Sequence, residues 1–181
     1  MLSRMRSGPW LPGPAPAAVD RPHLPGYGIE AADAGGGLLP WSWAVERLER
    51  ARNYWVATAS PGGVPQLTAV WGVWLGGALY FSTGGRSVKA RNLSVSARCV
   101  VTPEYAEEAV IVHGVAECVG DRAAVDYARL AYLSKYGDGL PDPVDNPLFA
   151  VAPRVVLGFI SRAAEFTGRA TRWRFATVDD A

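Results

Sequence analysis

The sequence contains three closely spaced segments rich in β-branched and aromatic residues, at 54–59, 66–75 and 78–83. Pro61-Gly62-Gly63 lies in the first gap and Gly76-Gly77 in the second, and residues of these types favour tight turns and hairpins. Strands joined by such short turns pair with one another in antiparallel fashion. This part of the chain therefore predicts three antiparallel strands in succession.

The remaining pattern adds strands and a few helices around this start. Ser42, Ser87 and Asp121 can each cap a helix, and Gly137 can end the third one, which predicts helices at 42–52, 88–96 and 122–136. Further strands are predicted at 98–102, 109–119, 149–151, 155–160 and 169–175, with a turn at 104–108 and a loop at 138–147. Six or more antiparallel strands in a chain of this size indicate a closed or nearly closed barrel, because closure removes exposed edges.

Composition narrows the possible partners. The chain has 181 residues, of which 49% are apolar and 19% charged, a balance typical of one globular domain. The formal net charge of +1 gives no overall basic field, so no nucleic-acid partner is predicted. No run of about 18 apolar residues occurs, so no membrane span is predicted either.

The first 39 residues are dense in proline, glycine and alanine. They predict a flexible or extended arm, followed by one domain over residues 40–176 and a tail over residues 177–181. Prolines between positions 9 and 16 interrupt anything like the apolar core of a signal peptide, so a cytoplasmic protein is expected. Trp10 and Tyr27 suit two alternatives for the arm, a segment that covers apolar surface of the domain or a lid over a ligand.

No metal site and no catalytic nucleophile are predicted. His23 and His113 have no second ligand at metal spacing, and His113 is expected to be a packed or hydrogen-bonded strand residue. Cys99 and Cys118 lie in apolar runs and are expected to be small buried residues, although a disulfide between them stays open. No Gly-x-Ser-x-Gly motif occurs.

The segment Gly84-Gly85-Arg86-Ser87-Val88-Lys89-Ala90-Arg91-Asn92 is the strongest candidate for chemistry. It places three cations at the start of a predicted helix, where the helix dipole already carries partial positive charge. A bound anion would reverse this unfavourable arrangement, and the free N–H groups of a helix start are good donors to phosphate. Charge spacing alone leaves two alternatives, a phosphate site or a solvated basic patch.

Several motifs in the same order resemble the pyridoxamine-phosphate-oxidase-like flavin-binding split barrels. They are Tyr-Trp-Val-Ala-Thr at 54–58, Pro-Gly-Gly-Val-Pro at 61–65, Val-Trp-Gly-Val-Trp at 70–74, the strand end at 78–83, the basic segment at 86–93 and the stretch at 166–175. The sequence is most similar to the actinobacterial branch that includes deazaflavin-dependent reductases, in which coenzyme F420 can replace FMN. The resemblance implies a mainly β fold, a six- or seven-stranded antiparallel split β-barrel with two or three flanking helices.

The resemblance also implies a homodimer with two cofactor sites at the subunit interface. Residues of the basic segment would hold the phosphate, the end of the strand before it would approach the ribityl chain or ring, and residues 70–72 would line the ring. A tryptophan would come from the other subunit. The residues implied are Val70, Trp71, Gly72, Ser82, Thr83, Arg86, Ser87, Lys89, Asn92 and Trp173. Gln66 stands where many relatives have histidine, so no proton-transfer role is expected there.

The function expected from this resemblance is an oxidoreductase that uses FMN or F420 to reduce a small organic acceptor. The cofactor would carry the hydride, so no catalytic side chain is assigned. Arg91 and Arg98 favour F420 slightly, because its acidic tail would suit a basic groove. Vitamin B6 oxidation is not expected, because the basic substrate-binding residues of that enzyme are not evident. The alternative is a non-catalytic protein that binds or carries a flavin, a deazaflavin or, less favoured, haem.

Overall fold

The computed structural model describes residues 13–29, 36–142 and 144–176. The helices in these ranges are α1 (Trp41–Arg50), α2 (Val88–Val95), α3 (Arg122–Tyr136) and α4 (Ala163–Arg169). The strands there are β1 (Ala18–Asp20), β2 (Asn53–Ala59), β3 (Pro65–Trp71), β4 (Val73–Leu75), β5 (Ala78–Ser82), β6 (Arg98–Pro103), β7 (Glu108–Cys118), β8 (Leu148–Ile160) and β9 (Thr171–Arg174). The predicted tail at 177–181 and Trp10 lie outside the described residues.

All strand pairs are antiparallel, in the order β1-β9-β8-β7-β6-β2-β3, while β5 pairs with both β4 and β8. Because β4 follows β3 after one residue and β5 pairs with β8, the sheet closes on itself between β3 and β8. The predicted mainly β, antiparallel architecture is confirmed. The nine strands of the described residues exceed the predicted six or seven partly because β1 lies in the arm and Gly72 divides one predicted strand.

The barrel interior is filled by aromatic and β-branched residues from every side. Tyr54, Phe81 and Trp173 are fully buried, and α1 closes the barrel with the buried Leu48. The Tyr54 hydroxyl donates a hydrogen bond to the Leu48 carbonyl oxygen, which ties the end of α1 to the sheet. A second cluster packs α3 against β4 and β5 around Tyr132. The two helices therefore fix the β3–β4–β5 region from opposite sides.

Most predicted helix ends are confirmed. The Ser87 hydroxyl accepts from the Ala90 N–H at 3.2 Å, the Asp121 carboxylate caps α3, and Gly137 ends α3 with a φ of 76°. The predicted Ser42 cap is wrong. The helix begins one residue earlier, after Pro40, because the Trp41 ring packs into the core.

Three predicted strands differ in extent. The single strand expected at 66–75 is broken at Gly72, whose backbone bonds to side chains of α3 instead of a neighbouring strand. The two strands expected at 149–151 and 155–160 form one strand, β8, because a β-bulge accommodates Pro153. The strand expected at 169–175 begins only at Thr171, since the unpredicted helix α4 occupies the residues before it.

Part of the arm lies against the domain. Strand β1 pairs with β9, and the Asp20 carboxylate accepts hydrogen bonds from Arg172 at 2.7 Å and Arg174 at 2.5 Å. The two guanidinium groups lower the pKa of Asp20, and its hydrogen bond with Arg172 is the largest cause. Arg21 is buried and donates to the Gly168 carbonyl oxygen at 2.9 Å. These contacts extend the sheet beyond β9.

Two expectations for single residues are wrong, and both concern β7. His113 is exposed, because its side chain alternates onto the outer face of the sheet. Cys118 is exposed because it ends the strand, whereas Cys99 is buried as expected, and the two thiols are free. None of the helices described above is long and apolar enough to cross a bilayer.

Candidate functional site

The turn between β5 and α2 brings three predicted site residues together. The Lys89 ammonium donates to the Thr83 hydroxyl oxygen at 3.0 Å, and the Thr83 and Ser87 hydroxyl oxygens are 3.3 Å apart. Ser87 also caps α2, so its hydroxyl is fixed by the backbone. We call Thr83, Ser87 and Lys89 the hydroxyl–lysine cluster. It joins a cation, two hydroxyl groups and the first N–H groups of a helix at one point.

The charges at this cluster are positive and favour a bound anion. Burial lowers the pKa of Lys89, because a partly desolvated ammonium loses hydration. Within the described ranges no carboxylate forms an ion pair with Lys89, and its hydrogen-bond acceptor Thr83 is a neutral hydroxyl. The N-terminus of α2 adds partial positive charge, and no acidic residue lies in its first turn. A phosphate group supplies the missing charge and accepts from every donor present.

A cavity of about 690 Å³ adjoins the cluster and shares Ser87 with it. Gly84, Gly85 and Arg86 form one side, and the loop Val144, Asp145 and Asn146 forms the other. This cavity is large enough for a drug-sized ligand. Arg86 and Asp145 both line this cavity, and Arg86 is next to the cluster residue Ser87. A contact of Arg86 with phosphate stays a prediction.

The fold itself does not require glycine at positions 84 and 85 of this turn. A Cβ on Gly84 would have only the Asn146 side chain near it, at 3.9 Å, and one on Gly85 would approach the Asp145 carbonyl oxygen at 3.4 Å. Neither glycine has a positive φ. Since the fold would accept alanine at Gly84, its lack of a side chain is explained better by close approach of a ligand.

Ser82 and Asn92 serve the architecture. The Ser82 hydroxyl donates to the Asn146 carbonyl oxygen at 3.1 Å and holds the loop beside the cavity. Asn92, predicted to hold phosphate, is buried, and its side-chain amide donates to the Thr58 hydroxyl at 3.0 Å. Thr58 in turn donates to the side-chain oxygen of Gln66 at 3.2 Å. Asn92 therefore anchors α2 to β2. Its contact with phosphate stays a prediction.

The prediction for Trp173 is corrected. Its ring is fully buried in the core of its own chain and stacks on Trp43 with ring centroids 6.5 Å apart. A Cβ on Gly158 would lie 2.6 Å from the same ring, so the packing there is tight. A side chain held in this way does not reach a site on another subunit.

Val70, Trp71 and Gly72, the three residues predicted to line the cofactor ring, differ in what they expose to a ligand. The Val70 side chain faces the core, so only its backbone is open to a ligand. Trp71 is 48% exposed, while Trp74 is buried in the core. The Trp71 ring stacks on Tyr136 at 4.6 Å with an interplanar angle of 4°. Trp71 thus presents a fixed, flat aromatic surface.

Sequence reasoning missed the residues of α3 that hold this surface. The hydroxyl of Tyr132 donates to the Trp71 carbonyl oxygen at 2.7 Å, and the Gly72 N–H donates to the Tyr136 hydroxyl at 2.8 Å. Lys135 donates to the Gly72 carbonyl oxygen at 2.8 Å. Burial is the main cause that lowers the pKa of Lys135 to about 8. The i, i+4 spacing of Tyr132 and Tyr136 was visible, but nothing in the sequence pointed to Gly72 as their partner.

Residues 44–159 match the model of the family described as pyridoxamine 5'-phosphate oxidase. The chain belongs to this family. No curated protein matches the sequence.

Solved structures share the fold of the family member described here. A conserved hypothetical protein from Mycobacterium tuberculosis is 21% identical, with a TM-score of 0.62 over 74% of this chain and 92% of the other. A structure titled F420 reductase is 27% identical, with a TM-score of 0.50 over 61% of this chain and 93% of the other. A haem-binding protein from Mycobacterium smegmatis is 21% identical, with a TM-score of 0.61 over 75% of this chain and 59% of the other. The split-barrel architecture predicted from the sequence is confirmed.

Proposed function

We propose that this family member is an oxidoreductase that binds FMN or the deazaflavin F420 and reduces a small organic acceptor. The observation that carries the proposal is the hydroxyl–lysine cluster, a set of donors suited to an anion, which adjoins a cavity large enough for a cofactor. Both cofactors end their ribityl chain in a phosphate, which this set of donors fits.

The bound cofactor would supply hydride transfer, and the protein's own residues would bind and orient it. Lys89, Ser87 and Thr83 hold the phosphate, and Arg86 adds a second cation beside the cavity. Trp71 offers a flat surface held by Tyr136, suited to a neighbouring aromatic ring.

F420 is the cofactor that we favour. The structure titled F420 reductase is 27% identical over 93% of its own length, which supports this choice. Arg91 and Arg98 are both exposed, so they are available to an acidic tail. FMN remains the competing ligand because the phosphate site does not distinguish the two.

We further propose a homodimer that pairs the outer face of β2 and β3. Trp55, Leu67 and Trp71 are 42%, 58% and 48% exposed, and the register of the two strands puts them on one face. Clustered exposed aromatic and aliphatic side chains are typical of protein interfaces. Sedimentation equilibrium should give twice the chain mass, and Leu67→Arg should give the monomer mass with an unchanged far-ultraviolet circular dichroism spectrum. A monomeric wild-type protein would contradict the proposed dimer.

The experiment for the proposed function is a side-by-side titration with FMN and F420, followed by turnover. We expect saturable binding of one cofactor per chain, and oxidation of the reduced cofactor when an electron-poor alkene is added. Binding without turnover over a panel of acceptors would favour the carrier alternative. Failure of both cofactors to bind would overturn the proposal.

A further inference from the structure

We propose that the outer face of the sheet carries a second ligand site, for a small organic molecule with an apolar body and one anionic group. A cavity of about 450 Å³ lies there, between β2, β6, β7 and β8. It shares no lining residue with the cavity beside the hydroxyl–lysine cluster, so the inference does not depend on the cofactor site. Ala57 of this cavity pairs with Leu67 of the proposed dimer face, so the second site lies beside that interface.

The cations of this site are Arg98 and Arg154, and both line the cavity. Among the residues that the structure describes, neither guanidinium has an acidic or hydrogen-bonding side-chain partner, and no carboxylate lines the cavity. His113 is the third polar group there and is also exposed. Two unpaired guanidinium groups facing one space repel each other, and an anion between them removes that repulsion.

Arg154 reaches this cavity because the strand is bulged at its position. Gly114 pairs with Pro153 and His113 pairs with Val155, so Arg154 is an extra residue with no partner on β7. Bulges of this kind redirect a side chain and recur next to binding sites. Pro153 suits the bulge because it has no N–H to give to a ladder.

Gly114 makes the bulge possible. A Cβ at this position would lie 2.6 Å from the Val151 side chain and 2.7 Å from the Ala152 carbonyl oxygen. The close approach of the two strands therefore requires glycine. Three neighbouring features, a glycine, a proline and an unpaired residue, together place one arginine in the cavity.

The remaining walls are apolar, and this fixes the class of ligand. Ala57, Val100 and Val115 supply aliphatic surface. Inorganic phosphate would leave these walls exposed to water, whereas an aryl or acyl carboxylate would cover them and pair with the arginines.

The test uses two fluorescent probes with the same aromatic body. Anilinonaphthalenesulfonate carries one sulfonate, and N-phenylnaphthylamine carries none. We expect one sulfonate probe per chain, bound at least roughly tenfold more tightly than the neutral probe, which corresponds to one charge-assisted contact. Octanoate should displace the sulfonate probe.

Variants locate the site. Arg98→Met and Arg154→Met keep an aliphatic stem and should each weaken binding of the sulfonate probe by roughly tenfold or more, while leaving the neutral probe unchanged. Arg129→Met removes an exposed arginine of α3 and should change neither probe. Lys89→Met should also leave the sulfonate probe unchanged, which separates this site from the proposed cofactor site.

Three results would overturn the proposal. They are equal affinity for the two probes, unchanged binding in both arginine variants, and loss of binding in Lys89→Met alone. Sedimentation of the same variants covers a further possibility. If Arg98→Met and Arg154→Met dissociate a dimer without changing probe affinity, the arginines belong to the subunit interface and the proposal fails.

Discussion

Replacing Lys89 with methionine should abolish most of the cofactor affinity while leaving the fold intact. The Lys89 ammonium is the partly buried cation of the hydroxyl–lysine cluster, and it donates to the neutral Thr83 hydroxyl at 3.0 Å. A charge-assisted contact to phosphate contributes about 1.5–3 kcal/mol, so Kd should rise roughly 10- to 150-fold. The free energy of unfolding without cofactor should change by less than about 0.5 kcal/mol, because methionine keeps the stem and removes a charge that burial already penalises.

The assay is a fluorescence or absorbance titration with FMN and with F420, paired with urea denaturation of the cofactor-free protein. Arg91→Met is the matched control, since Arg91 belongs to the same helix, is exposed and lies outside the cluster. It should change the FMN affinity by less than about threefold, as expected for a solvent-screened charge. Unchanged affinity in Lys89→Met, or equal losses in both variants, would refute the reasoning and leave the basic segment as a solvated patch.

Three further changes test other parts of the account. Gly84→Ala should fold with unchanged stability yet weaken cofactor binding by at least about tenfold, measured in the same titration, because its Cβ would occupy space meant for the ligand. Between pH 8 and pH 10 the free energy of unfolding of the wild type should rise by about 1–2 kcal/mol relative to that of Lys135→Met. The pKa of Lys135 is about 8 in the folded protein and 10.5 in the unfolded chain, so the unfolded chain binds more protons in this range. In Gly114→Ala the new Cβ clashes with Val151, so the free energy of unfolding measured with urea should fall by about 1–3 kcal/mol. Gly120→Ala is the control, because a Cβ there meets open space and the free energy of unfolding should not fall.

Local signals in the sequence were enough to predict most elements of the barrel. Ser87, Asp121 and Gly137 fix helix ends through contacts with residues three or four positions away, and such contacts are visible in a linear pattern. The hydroxyl–lysine cluster is local in the same sense, because Thr83 and Lys89 are only six residues apart. The sequence alone could therefore indicate that these side chains lie close together, while their binding of phosphate stays a prediction.

The structural features that the sequence did not predict depend on contacts between residues distant in the chain. Asn92 has the spacing of a phosphate ligand, but Thr58 of a different strand takes its amide. Gly72 breaks a predicted strand only because Tyr136 of α3 comes within 2.8 Å of it. The bulge at Arg154 depends on the register of β8 against β7, which neither strand specifies alone.

A crystal structure of the protein with bound F420 or FMN tests the central claim most directly. The account predicts a phosphate oxygen at about 2.7–2.9 Å from the Lys89 ammonium, with the Ser87 and Thr83 hydroxyls also in contact. A cofactor phosphate bound elsewhere, for example between Arg98 and Arg154, with Lys89 still bonded only to Thr83, would contradict it.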